Sequence, residues 1–118
     1  MNSIIGMVKN SDMASVSYDV KNCAIRIDAK GQQLSTLETQ IKNFYSYHNV
    51  ITHLILHNVL LSEKKDVDLL KEMFDNFKYA KEFNLKNLTI GEVTLGYLYF
   101  GNRPDAEKKV TEIISIFQ

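Results

Sequence analysis

The sequence predicts a mixed α/β fold in which strands and helices alternate as repeated units. Two observations carry this. Short segments of period-two alternation recur at a fixed interval, with Ile25, Leu54 and Phe83 spaced 29 residues apart and Ile27, Leu56 and Leu85 spaced likewise. Between them run helical stripes: Ile41, Phe44, Tyr45 and His48 follow i, i+3, i+4, i+7, and Leu70, Met73, Phe74 and Phe77 repeat that pattern 29 residues later. Period two marks one face of a strand, and the second spacing marks one face of a helix.

The elements follow in order. Residues 1–21 read as an N-terminal capping segment, in which Val16, Tyr18 and Val20 alternate ahead of turn-forming residues at 19–22. Residues 22–91 read as three strands, CAIRIDA, HLILHN and EFNLKN, with two helices between them. Ser35, three residues before Glu38, predicts a capping box, and Ser62 predicts the N-cap of the second helix. Residues 92–118 read as an inserted strand, TLGYLYF, and a last helix carrying Val110, Ile113, Ile114 and Phe117. Pro104 suits the first turn of that helix, where a missing N–H leaves no partner wanting.

The chain has 118 residues, enough for a single domain with a real core. Hydrophobic residues are 45% and charged residues 24%, which excludes disordered and low-complexity classes. Fourteen basic residues balance fourteen acidic ones. A neutral domain is a poor ligand for nucleic acid or an anionic membrane, so neither is expected as a partner. No apolar run reaches the ~18 residues of a membrane span. The N-terminus has no basic region before its apolar stretch and does not read as a secretory signal. One cysteine, Cys23, makes no internal disulfide, which fits the cytoplasm, or a host cytosol if the protein is a secreted effector.

ITHLILHNVLL and AKEFNLKNLTI resemble the L-x-x-L-x-L-x-x-N/C-x-L signature of leucine-rich repeats, through Ile51, Leu54, Leu56, Val59 and Leu61 and through Ala80, Phe83, Leu85, Leu88 and Ile90. Val67, Leu70 and Phe74 resemble the helical leucines of the ribonuclease-inhibitor-like class. The resemblance covers about residues 22–91. The family's Asn/Cys position carries Lys30, Val59 and Leu88, so its buried polar ladder is expected to be missing. The resemblance implies a short array of βα units with parallel strands and capping segments. The element order also resembles a STAS-type α/β sandwich. That alternative implies a phospho-regulated partner-switching protein with Ser62 as the modified residue, although the family's D-S-S-G-like core is absent.

No catalytic signature is present, and P-loop and dinucleotide patterns are missing, so neither an enzyme nor a cofactor is expected. His53 and His57 flank LIL in a strand, where four residues span roughly 13 Å, too far to share a metal. Cys23 has no readable base beside it. The mixed-charge run Glu63, Lys64, Lys65, Asp66 and Asp68 reads as a solvated helix start. The expected function is non-enzymatic binding of a partner protein through the strand face, as a bacterial effector or as an inhibitor of a companion enzyme. The strand register puts Arg26 and Asp28, His53, Ile55, His57 and Asn58, and Asn84 and Lys86 on that face, beside Ala24, Ala29, Glu82 and Asn87. Ile55 is expected to be its one exposed aliphatic side chain and the centre of contact. Tyr97, Tyr99 and Phe100 in the insertion are a second candidate, as a lid or a contact surface.

Overall fold

The computed structural model describes residues 13–118, and the chain forms a mixed α/β structure with a six-stranded sheet. Most of the expected N-terminal cap, residues 1–12, lies outside the described residues. The strands are β1 (Ser15–Asp19), β2 (Ala24–Asp28), β3 (His53–His57), β4 (Leu60–Leu61), β5 (Glu82–Ile90) and β6 (Val93–Phe100). The helices are α1 (Glu38–Lys42), α2 (Lys64–Asn76) and α3 (Arg103–Ile116).

β2, β3 and β5 pair in parallel, and the interval seen in the sequence becomes the pairing register. Ile25 lies opposite Leu54 and Leu54 opposite Phe83; Ile27 lies opposite Leu56 and Leu56 opposite Leu85. β4 extends β3 along the same edge of β5, at the same offset of 29, with Leu60 opposite Thr89. Between β3 and β4 the chain turns a corner at Asn58, whose φ is +55°, and β5 turns the same corner at Asn87, φ +56°. This left-handed residue reverses which side chain faces inward, so Val59 and Leu61 follow Leu54 and Leu56 into the core, as Leu88 follows Phe83. β1 and β6 pair antiparallel on the two flanks. Gly91, φ +63°, opens the two-residue turn that joins β5 to β6, a position that suits glycine.

The apolar residues of all three helices meet one face of the sheet. Ile41, Val67, Leu70, Met73, Phe74, Val110 and Ile113 join Ile25, Ile27, Leu54, Leu56 and Phe83 in one core. Phe74 and Phe83 stack at 4.8 Å between ring centroids.

Several local expectations change. The stripe Ile41–His48 is not one helix: a five-residue α1 lies between 3-10 turns at Leu34–Leu37 and Tyr45–Tyr47, and His48 is exposed. Asn43 and Ser46 favour caps and turns over helix interiors, so the helix stops short, held by buried Ile41 and the Lys42 ion pairs with Glu38 and Glu72. Ser35 caps nothing; α1 begins after Leu37 without a side-chain cap. The cap of α2 is Glu63 rather than Ser62, in a reciprocal box with Asp66. Asp66 is also not solvated. It is fully buried and accepts backbone N–H bonds from Ser62 (2.9 Å), Glu63 (3.0 Å) and Ser35 (3.0 Å) and one from Gln33 Nε2 (3.2 Å). One carboxylate thereby ties the start of α2 to the segment that enters α1. Burial pushes the Asp66 carboxyl up, but these hydrogen bonds outweigh it and hold it below the ordinary range.

Candidate interaction surface

The sheet face opposite the helices is built in rows, because adjacent strands keep their register. One row runs Ser17, Arg26, Ile55, Asn84 and Tyr99; the next runs Ser15, Asp28, His57, Lys86 and Tyr97. A third holds Asp19, Ala24, His53 and Glu82. Arg26, Asp28, His53, Ile55, His57, Asn84 and Lys86 therefore come together as expected, with Asn58 just past the C-terminal end of β3, whereas Ala29, expected beside them, joins the core. The two candidate surfaces are also one surface. β6 lies beside β5, so Tyr97 and Tyr99 extend the rows, at 62% and 52% exposure. The signal for this was the Gly91–Glu92 turn, which fixes the register of TLGYLYF against EFNLKNLTI.

Ile55 is the main correction. It is 6% exposed, not an exposed aliphatic, and Ala24 and Ala29 are fully buried. Ile55 sits on an interior strand between Arg26 and Asn84, with His53 and His57 on either side of it in β3. Such long neighbours close over a residue that alternation alone would leave open.

Polar groups link the strands. His53 Nε2 is hydrogen-bonded to Asn84 Oδ1, and Asn84 Nδ2 donates to the Tyr97 hydroxyl, so one chain of bonds crosses β3, β5 and β6. Arg26 Nε lies 3.3 Å from Asp19 Oδ2. Asp28 accepts from Asn58 Nδ2 at 3.2 Å and from the Lys30 N–H at 3.1 Å. Burial raises its carboxyl pKa, but these bonds and the Lys30 charge leave it lowered overall. His57 is held below the ordinary histidine range, first by burial, then by Lys86 and Arg26, against the pull of Asp28. The face thus carries neutral imidazole, cationic Arg26 and Lys86, and two exposed phenols, a mixed surface with amphipathic anchors.

No group of three or more His, Cys, Asp or Glu side chains could hold a metal ion among the described residues. No helix of the described residues is long and apolar enough to cross a membrane. Cys23 is a free thiol at the start of β2, with φ +51°. Ser62 is exposed at the junction of β4 and α2. Sequence reasoning missed Arg103. Its guanidinium donates to the carbonyls of Phe77 (3.0 Å), Ala80 (3.2 Å) and Phe74, and lies over the Phe74 ring. It closes the C-terminal end of α2 from the first turn of α3.

Comparison of the chain with models of known protein families, with curated proteins and with solved structures finds no match.

Proposed function

We propose that the protein is a non-enzymatic, leucine-rich-repeat-like module that binds a partner protein across its strand face. The observation that carries the reading is the row structure of that face. Arg26, His57, Asn84, Lys86, Tyr97 and Tyr99 are brought side by side by a constant register, on the side away from the helices. Exposed Tyr and Arg beside polar neighbours are the composition of protein contact surfaces. Tyr97 and Tyr99 take the anchoring role, since Ile55 offers little area. The leucine-rich-repeat reading is supported by the repeated offset of 29 and the recurring left-handed corner at Asn58 and Asn87. A role as an effector or as the inhibitor of a companion enzyme, in the cytoplasm or a host cytosol, fits such a surface and the lone thiol.

The test is capture by tagged protein from the native cell, repeated with Arg26→Glu/Lys86→Glu and with Lys65→Glu, an exposed change at the start of α2. Loss of the captured protein only with the first variant supports the reading. Equal capture by all three overturns it.

Exposed Ser62 is the one observation that favours the STAS-like alternative. Its backbone N–H, however, is bound to the Asp66 carboxylate at 2.9 Å. A phosphate there would stand close to a buried negative charge, which disfavours that reading.

A further inference from the structure

We infer that β6 is a self-association edge, along which a second copy of this chain adds antiparallel to make one continuous sheet. β6 is eight residues long, and among the described residues β5 is its one strand partner. Among the described residues no backbone hydrogen bond reaches Val93–Phe100 from outside that pairing. Val93–Phe100 holds no charged residue and no proline, the devices that usually protect an edge. The opposite edge, β1, is shorter and carries Asp19 in an ion pair with Arg26.

The occupant follows from self-complementarity. A two-fold axis pairs an edge strand with itself, so any charge near the axis would meet its own sign. Here none does. Side chains must also point the same way on both sides of each pair. β6 changes phase at Gly96, opposite the corner at Asn87, and this selects the register centred on Leu98. Leu98 then meets Leu98 of the second copy, and Tyr97 meets Tyr99 on the strand face. Phe100 meets Gly96, above which a side chain would find open space. Beside Leu98, the flank of α3 presents Lys108 and Lys109 with Asp105 and Glu112, so both signs are available to the second copy.

Sedimentation equilibrium from micromolar to millimolar concentration tests this. The wild type is expected to pass from monomer to dimer mass. Leu98→Lys and Leu98→Glu should each weaken association by about tenfold or more, and their equimolar mixture should restore it. Arg26→Glu/Lys86→Glu, which addresses the partner surface, should leave the dimer unchanged, so the two readings fail separately. A wild type that stays monomeric throughout, or a lysine variant that dimerises like wild type, overturns the inference. Should the charged variants lose their circular dichroism signature, cysteines decide. In a Cys23→Ser background, Leu98→Cys should cross-link on mild oxidation. Thr94→Cys, placed ~27 Å from its mate by this register, should not. Equal cross-linking, or none at position 98, overturns it.

Discussion

Asn87 and Asn58 stand 29 residues apart and touch: Asn87 Nδ2 donates to Asn58 Oδ1 at 3.2 Å. Asn58 in turn donates to Asp28, so three side chains form a ladder across the parallel strands near the ends of β2 and β3. Asn58 and Asn87 each stand one position before a buried apolar residue, Val59 and Leu88. Both asparagines hold left-handed backbone, which this residue type tolerates better than most.

The corner is the first thing to test. Asn58→Ala puts an ordinary side chain at φ +55° and removes the ladder, and should cost about 1–2 kcal/mol in urea melts. Asn58→Gly keeps the backbone freedom and should cost clearly less. Equal losses would mean that the side-chain bonds, rather than the backbone, set the corner.

Asp66 should be the most sensitive polar residue. Asp66→Ala leaves buried N–H groups without an acceptor, at a cost on the order of 3 kcal/mol. Its carboxyl pKa is lowered in the folded chain. The stabilisation is therefore complete above the unfolded value of about 3.9, and is lost as pH falls from there through the folded value. Acid unfolding of wild type and Asp66→Asn should converge below that window.

His57 titrates in the opposite direction from a paired histidine. Above about pH 6.5 it is neutral folded or unfolded and leaves stability unchanged. As pH falls below that, the unfolded chain takes up the proton first, so stability declines until the folded group also titrates. NMR titration should find His57 below the ordinary range, and Lys86→Gln should raise it.

β3 should prove buried on both faces. Leu56→Ala should cost on the order of 2–5 kcal/mol. Ile55→Asp should cost at least as much, because a carboxylate would replace a covered side chain. Lys86→Ala should stay within about 0.5 kcal/mol. Thermal or urea melts of the three variants give the ranking.

Arg103→Ala should free the Phe74, Phe77 and Ala80 carbonyls and cost roughly 2 kcal/mol. Arg103→Lys should recover only part, since an ammonium lacks the planar fork that reaches several carbonyls at once. Hydrogen exchange should locate the loss at the end of α2.

The sequence made the parallel strands legible because each buried row repeats an apolar type at a constant spacing, from Ile25 to Leu54 to Phe83. It also marked TLGYLYF as a strand, but not its antiparallel pairing with β5. It misplaced what depends on neighbours from elsewhere in the chain. Ile55 alternates like an exposed residue, and only the flanking Arg26 and Asn84 show why it is covered. Asp66 sits in a run of charges, and only the approach of Gln33 and Ser35, some thirty residues earlier, makes it interior. Arg103 meets its carbonyls across a similar separation. Of the candidate surface, the residues of β2, β3 and β5 were readable; its continuation onto Tyr97 and Tyr99 required the hairpin register.

The reversal of direction at Gly91 limits how an array of this kind can grow. A new parallel unit needs a parallel strand beside it, and β6 offers an antiparallel one. The opposite flank, β1, is antiparallel too. Within the array a further 29-residue segment fits between β2 and β3 or between β3 and β5, where the parallel strands already keep that offset. Each such duplication would widen the strand face by one strand and leave both ends untouched.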